Sequence, residues 1–186
     1  MCQTVKNQLQ TLISQKRYEH SLRVADLSKA LAIKHEQNSD DAYLAALIHD
    51  AAKELSPQSS PIHFNDAEIA LYNAYPKVWH ALVIEHVGRH YFPSIDPKVF
   101  EAAKWHSTGT AAMSPLAKIV YVADAVEPGR QYDERAHLEQ LAHTQLDASV
   151  FKVAEFSLSD LLNKKQKIHP ETVNCYNFYL GAADAV

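Results

Sequence analysis

Leu44-Ala45-Ala46-Leu47-Ile48-His49-Asp50-Ala51-Ala52-Lys53 is an apolar helical run that carries a histidine and an aspartate near its end. Burying an unpaired carboxylate such as Asp50 costs several kcal/mol, so packing alone gives no reason for its presence. A metal ion removes that cost, because imidazole and carboxylate are both common metal ligands. The stretch therefore predicts a central helix that holds part of a metal site in its C-terminal turns.

The rest of the chain has the pattern of helices joined by loops. Only four of its 186 residues are glycine, so few tight hairpin turns are available. Asn38 and Asn65 are suited to cap helix starts, and Asp96 and Ser114 stand at cap positions directly before a proline. By apolar spacing, the predicted helices cover about residues 3–15, 18–36, 40–56, 66–74, 78–90, 97–106, 115–127, 134–166 as two helices, and 170–179. No repeat or low-complexity segment divides the chain, so we predict an all-α bundle that forms one domain over residues 1–186.

Composition argues against several classes of protein. The net charge of −4 and pI near 6.2 disfavour a general nucleic-acid binder. Cys2 and Cys175 lie near opposite ends, which suits a reducing cytoplasm better than a disulfide framework or a thiolate metal site. The first residues lack the apolar core of a signal peptide, and no run approaches the ~20 apolar residues of a membrane span. We expect a cytoplasmic protein with no nucleic-acid or membrane partner, in which the N-terminal helix and C-terminal segment are candidate homodimer contacts.

Metal-type side chains recur on the apolar stripes of other predicted helices. His20, His80, His106 and Asp124 each lie on such a stripe, besides the pair His49-Asp50. Any one of these histidines alone is more often a hydrogen-bonded core residue, and Asp124 alone could pair with a buried arginine. Six such groups on five helices are explained together by one dinuclear site in a bundle core. The set has only nitrogen and oxygen donors, which suits iron, manganese or zinc without choosing among them.

The sequence motifs around these residues resemble those of a known family. His20, His49-Asp50 and Asp124 reproduce the H…HD…D signature of HD-domain metal phosphohydrolases. The longer words are RYEHSLRVA (17–25), HDAAK (49–53), WHSTG (105–109), MSPLAKIVYVAD (113–124), EPGR (127–130) and IHPET (168–172). Together they resemble the bacterial YqeK family, whose members hydrolyse diadenosine tetraphosphate symmetrically to two ADP. The resemblance spans roughly residues 17–177 and implies an HD-domain helical bundle.

The chain departs from the family pattern at three places. After the HD pair the family usually has an aromatic or bulky residue, where this chain has Ala51. The usual His-Gly is His80-Ala81, and this region is the least family-like. The choice of His80 over His86 or His90 therefore depends partly on its helical face. Tyr176 replaces the usual arginine, which puts in doubt any phosphate or base contact that the arginine makes.

The resemblance and the ligand chemistry together imply a mechanism. The implied metal ligands are His20, His49, Asp50, His80, His106 and Asp124. Iron is the metal first implied, with manganese or zinc as alternatives, and Asp50 would bridge a first ion to a second held by His80 and His106. A metal-activated water would attack phosphorus in line, with Asp50 and Lys53 as the catalytic residues.

Substrate contacts are implied for residues that face the same site. The expected substrate-binding residues are His20, His80, His106, Ser107, Thr108, Asp124 and Arg130. Lys53 and Arg130 would neutralise phosphate charge, and the hydroxyls beside His106 would donate hydrogen bonds to a phosphate. The plainer alternatives are that Lys53 is a solvated helix-end cation and that Thr108 only terminates a helix.

Three functions follow from this pattern. The first is a hydrolase of diadenosine tetraphosphate and related dinucleoside polyphosphates, with ADP as product. The second is an HD-domain nucleotidase or phosphodiesterase that acts on another nucleotide. The third is a binding module without turnover, against which the complete ligand set argues.

Overall fold

Helices account for the regular structure of the residues that the computed structural model describes, 2–183. In chain order they are α1 (Cys2–Gln10), α2 (Gln15–Lys34), α3 (Ser39–Ile48), α4 (Asp66–Ala74), α5 (Trp79–Leu82), α6 (Ile84–Tyr91), α7 (Pro97–Lys104), α8 (Pro115–Val126), α9 (Arg135–Thr144), α10 (Leu146–Asn163) and α11 (Pro170–Tyr179), followed by a 3₁₀ turn, Leu180–Ala183. Residues 2–183 contain no strand, so the prediction of an all-α fold is confirmed.

The central helix of the bundle is α3. It packs against α2, α7 and α8, and its Ala45–Ile48 segment is completely buried. A helix that is apolar on all sides is suited to such a position, and its alanines allow neighbouring helices to approach closely. Burial of Leu47 and Ile48 contributes roughly 1.5–3 kcal/mol each. The apolar run that carries His49 and Asp50 at its end therefore lies at the centre of the core.

Helix starts follow the predicted caps. The Asn38 side chain accepts hydrogen bonds from two backbone amides at the start of α3, and Asn65 forms a capping box with Glu68. Asp96 and Ser114 each accept an amide hydrogen bond before a proline in the first turn of α7 and α8. A cap of this kind contributes about 1 kcal/mol, and it determines where each helix begins.

The end of α3 differs from the prediction. The regular helix stops at Ile48, and residues 49–54 form turns rather than continuing toward residue 56. The Ala46 carbonyl, which would accept the Asp50 amide in a continued helix, accepts the His49 ring Nδ1 at 2.5 Å. The His49-Asp50 pair therefore lies in the turn after the helix, not in its last turns.

Three other predicted helices also have different bounds. The opening helix ends at Gln10, and the predicted 78–90 helix is divided at Val83 into α5 and α6. His106 lies in the turn that follows α7, not on the helix. His80 therefore belongs to the short helix α5, and His106 belongs to a turn.

The longest helix is α2, with 20 residues, and its outer face is polar. The described part of the chain holds no helix both long and apolar enough to cross a membrane.

Candidate metal centre

The six predicted ligands converge on one place in the bundle. They come from α2 (His20), the turn after α3 (His49 and Asp50), α5 (His80), the turn after α7 (His106) and α8 (Asp124). Their donor atoms form three overlapping groups, each within 4.8 Å: His20–His49–Asp50, His49–His106–Asp124, and Asp50–His80–His106. The tertiary structure thus brings together groups that lie up to about a hundred residues apart.

Asp50 occupies the middle of the cluster. Its Oδ1 lies 3.1 Å from His80 Nε2 and 3.5 Å from His106 Nε2, and its Oδ2 lies 3.6 Å from His49 Nε2. On the other side, Asp124 Oδ1 lies 3.1 Å from His20 Nε2. Asp50 is the carboxylate between the two halves of the cluster, and its role as a bridge between two ions stays a prediction.

The cluster fits a metal because its polar atoms are otherwise unsatisfied. His49 Nε2 and Asp50 Oδ1 are buried and have no hydrogen-bond partner. His80 Nε2 and His106 Nε2 lie 3.1 Å apart, so one of them must carry a hydrogen unless an ion binds both. Leaving such groups unpaired costs about 1–3 kcal/mol each, and coordination removes that cost. Four imidazoles and two carboxylates without a thiolate suit a first-row divalent metal.

Two of the histidines are oriented by their own helices. His49 Nδ1 lies 2.5 Å from the Ala46 carbonyl and His106 Nδ1 lies 2.8 Å from the Ala103 carbonyl, each three residues earlier. A carbonyl can only accept, so each ring donates from Nδ1 and its Nε2 keeps a free lone pair. Both rings are therefore in the tautomer that a metal requires.

His20 is oriented differently, by Glu127. Its Nδ1 lies 3.1 Å from Glu127 Oε1, while Arg23 Nε and the Gly129 amide donate to Glu127 Oε2 at 2.6 and 2.7 Å. Burial alone would raise the pKa of Glu127, but these hydrogen bonds hold it below its ordinary value. A Cβ at Gly129 would lie 2.6 Å from Arg23 Nη2, so a larger residue there would displace the guanidinium that holds Glu127. Glu127 was not among the predicted site residues; the signal for it was its position one helical turn after Asp124.

The charges of the centre are those that metal ligands need. Burial lowers the pKa of His49 to about 4 and that of His80 to about 3, so both rings are neutral at neutral pH. Burial alone would raise the pKa of Asp50, but its histidine neighbours outweigh it and the pKa lies well below the usual value. Burial alone would also raise the pKa of Asp124, but the hydrogen bond from His20 and the charges of its histidine and Arg130 neighbours together lower it.

Cationic side chains surround the carboxylates. Arg130 Nη2 lies 2.6 Å from Asp124 Oδ1, and Arg17 Nη1 contacts Asp50 Oδ2. Lys53 Nζ lies 3.8 Å from Asp50 Oδ1, and burial lowers the pKa of Lys53. All three line a cavity of about 470 Å³ beside the ligands, which we call the phosphate cavity. Arg17 was not among the predicted site residues, although it precedes His20 by one helical turn.

The two predicted hydroxyl donors differ in position. Ser107 Oγ lies 2.9 Å from His106 Nε2 and 3.3 Å from His80 Nε2, at the centre itself. Thr108 is fully buried, and its hydroxyl donates to the Gly109 carbonyl. The structure therefore brings Ser107 to the site and uses Thr108 within its own turn.

The choice among the histidines near residue 80 is resolved by position. His80 is 2% exposed and faces Asp50. His86 lies against Glu68 at 2.9 Å, and His90 is exposed. Only His80 of the three belongs to the cluster.

Comparison with known proteins agrees with this geometry. The family model of the HD domain matches residues 17–129. A symmetrical bis(5'-nucleosyl)-tetraphosphatase of Halalkalibacterium halodurans is 30% identical over 178 residues, which cover 89% of each chain. A Bacillus subtilis protein of the same name is 27% identical over 188 residues, 96% of this chain and 95% of that one. The crystal structure of a Clostridium acetobutylicum protein, described as a predicted HD superfamily hydrolase involved in NAD metabolism, aligns with a TM-score of 0.84 at 26% identity and covers 97% of each chain. The chain therefore belongs to the HD domain family, and its predicted kinship with the YqeK-type members is confirmed.

Proposed function

We propose that this protein is a metal-dependent hydrolase that cleaves diadenosine tetraphosphate and related dinucleoside polyphosphates symmetrically, releasing two ADP. The observation that carries the proposal is the six-residue ligand cluster, with its buried unpaired donor atoms, beside a cavity lined by arginine and lysine. The names of the similar proteins support this choice of substrate.

The residues of the cluster divide between two ion positions. His20, His49 and Asp124 would hold one ion, His80 and His106 the other, and Asp50 would contact both. Metal ions at these residues would supply Lewis-acid polarisation of a phosphate and a water of lowered pKa. We propose iron, with manganese or zinc as the alternatives that the same donors accept.

The cations of the phosphate cavity have a separate task. A tetraphosphate bridge is strongly anionic, and charge accumulates on the equatorial oxygens as phosphorus is attacked. Arg17, Lys53 and Arg130 can each donate charge-assisted hydrogen bonds to those oxygens. Ser107, beside the Nε2 atoms of the second ion position, can donate one more hydrogen bond to a phosphate oxygen. These groups hold the reacting phosphates in place and stabilise the developing charge.

A second function remains as the alternative, because cations that bind phosphate oxygens do not by themselves determine how many phosphates the substrate has. An HD-domain nucleotidase or phosphodiesterase that acts on another nucleotide would use the same cluster.

The test is a substrate panel with product identification by ion-exchange chromatography. The panel includes diadenosine tetraphosphate, diadenosine triphosphate, ATP, AMP and a cyclic dinucleotide, with Fe²⁺, Mn²⁺ or Zn²⁺ supplied. Two ADP from the tetraphosphate is the expected result. Production of ATP plus AMP, or turnover of another nucleotide alone, supports the alternative, and binding without turnover contradicts both.

A further inference from the structure

Glu54 connects the start of α2 to the turn that carries His49 and Asp50. It lies in the turns that follow α3, four residues after Asp50. Its Oε2 accepts the Ser14 amide at 3.0 Å, and its Oε1 accepts the Ser14 hydroxyl at 2.7 Å. Both oxygens of the Glu54 carboxylate are therefore held by the residue directly before α2.

Ser14 makes this contact in place of the bond that its position favours. It stands at the cap position of α2, where a serine hydroxyl usually accepts a backbone amide of the first helical turn. Here the side chain makes no capping bond, and the hydroxyl donates to Glu54 instead. A local rule broken in this way is expected at functional sites, so the contact calls for a functional reason.

The carboxylate that Ser14 holds faces Arg17. Glu54 Oε1 lies 3.4 Å from Arg17 Nε, a buried atom that forms no hydrogen bond within residues 2–183. The same guanidinium contacts Asp50 Oδ2 through Nη1. Arg17 therefore lies between two carboxylates of one turn, and a planar guanidinium held at two of its nitrogens has a defined direction.

Glu54 and Arg17 differ in their access to the phosphate cavity. Arg17 belongs to the lining of that cavity, and Glu54 does not. Glu54 can therefore influence a bound phosphate through Arg17 or through its own charge. The two routes have opposite signs, because the negative charge repels a phosphate, whereas orienting Arg17 favours its binding.

We propose that Glu54 is a positioning residue that holds the Arg17 guanidinium in the direction needed to bind a phosphate in the phosphate cavity. Because the long side chain is oriented before the phosphate arrives, it loses less conformational freedom on binding. The inference rests on the proposed function in one respect, which is that the cavity binds phosphates of the substrate. It extends that function to a carboxylate outside the cavity lining.

The experiment measures binding of imidodiphosphate, a pyrophosphate analogue with a nitrogen bridge, by calorimetry on the full chain with saturating Mn²⁺. The variants are Glu54→Ala and Glu54→Gln, of which the second keeps an acceptor for Ser14 and protects against a loss of folding. Glu85→Ala is the matched control, because it removes a half-exposed carboxylate from Arg89 outside the phosphate cavity and changes the net charge equally. Thermal unfolding is recorded for each variant.

The expected result is a loss of affinity of about fivefold in Glu54→Ala and about twofold in Glu54→Gln, with no change in Glu85→Ala. Unchanged or increased affinity in folded Glu54→Ala overturns the proposal, because only the repulsion by the carboxylate would then remain. If the alanine variant does not fold, the same outcome in Glu54→Gln overturns it.

A double-mutant cycle tests whether the effect passes through the guanidinium. Arg17→Lys keeps the positive charge and has no Nε–H, so adding Glu54→Ala to it should cause no further loss of affinity. An equal loss in both backgrounds overturns the proposal, because Glu54 would then act without Arg17.

The proposed function fails separately from the positioning role. If the Glu54 variants lose affinity for imidodiphosphate and the wild type does not cleave diadenosine tetraphosphate, the role stands and that function fails. If the wild type cleaves diadenosine tetraphosphate and the Glu54 variants bind imidodiphosphate as tightly as it does, the function stands and the role fails. A wild-type protein that binds no imidodiphosphate contradicts the role directly.

Discussion

At the scale of single residues, the histidines of the centre obtain their orientation in two ways. His49 and His106 each donate to a carbonyl three residues earlier, so local geometry is sufficient. His20 depends on Glu127, which lies 107 residues later and is itself held by Arg23 and Gly129. The orientation of His20 therefore depends on a side chain from a distant part of the sequence, which a single substitution can remove.

Replacing Glu127 should weaken the metal site more than the fold. For Glu127→Ala we expect a loss of about 10–100-fold in metal affinity. Without a hydrogen-bond partner at Nδ1, the His20 ring is no longer fixed in one tautomer and one orientation. Glu127→Gln keeps an acceptor for His20 and should lose less. Affinity is measured by competition with a chromophoric chelator, and stability by denaturation of the metal-free protein.

The matched control for Glu127 is Glu139→Ala, which removes a carboxylate paired with Arg135 away from the centre. It should leave metal affinity unchanged. Wild-type metal affinity in Glu127→Ala would show that His20 needs no carboxylate to bind the ion.

Replacing Asp50 should abolish both the metal site and hydrolysis. Asp50 contacts both proposed ion positions, so Asp50→Ala should lower metal content and reduce turnover of diadenosine tetraphosphate by at least about 10³-fold. Elemental analysis and product chromatography measure the two effects. Asp147→Ala, which removes a half-exposed aspartate paired with Lys118, is the control. If metal content and hydrolysis both survive in Asp50→Ala, the mechanism is wrong.

At the scale of helices and turns, the centre is built where helices end. Two of its residues, His49 and Asp50, follow the last residue of α3, and His106 follows α7. A turn can aim successive side chains at one point, whereas neighbouring residues in a helix diverge by about 100°. The turn after α7 closes at Gly109, which has φ +61° and accepts the Thr108 hydroxyl.

Substituting Gly109 should destabilise the protein. A Cβ there would lie 2.4 Å from Cys175 Sγ, and the backbone is in the left-handed region that alanine disfavours. We expect Gly109→Ala to lower the free energy of unfolding by about 1–3 kcal/mol, measured by urea denaturation. Gly181→Ala is the control, since nothing lies within 4 Å of a Cβ at that position. Equal stability of the two variants would contradict the role of the turn.

At the scale of the whole molecule, burying the ligand cluster links folding to pH. With pKa values of about 4 and 3, His49 and His80 stay neutral in the folded protein, while in the unfolded chain they protonate near pH 6.5. Below about pH 6.5 the unfolded state therefore binds more protons than the folded state. The free energy of unfolding decreases there as the pH is lowered. Asp50 and Asp124, whose pKa values are lowered, add a further loss in more acidic solution. The raised pKa of His20 acts the other way, because its contribution is complete below pH 6.5 and is lost as pH rises.

We therefore expect metal-free protein to lose stability as the pH is lowered from about 6.5 to 4, by on the order of 1 kcal/mol per pH unit for each of His49 and His80. Urea denaturation in the presence of a chelator measures this slope. In His80→Gln the slope should be smaller by the amount that corresponds to about one bound proton. A flat profile above pH 5, or the same slope in the variant, would contradict the assignment.

Sequence alone was sufficient to predict the class of fold, the starts of the main helices and six metal-type side chains that the fold brings together. Each of these depends on interactions within a few residues: apolar spacing, a cap that bonds to the next turn, or a ligand on an apolar stripe. Such features can be predicted from the sequence because Asn38 and Ser114 each cap a helix through hydrogen bonds to the next turn of that helix. The resemblance to HD-domain phosphohydrolases narrowed the chemistry, since the matching words contain all of these ligands except His80.

How those ligands are held, and what surrounds them, depends instead on the packing of distant segments. Glu127 behind His20, Arg17 against Asp50, and Ser14 against Glu54 are contacts of this kind. Such contacts depend on which faces the packed helices present to one another, and local spacing carries no record of that.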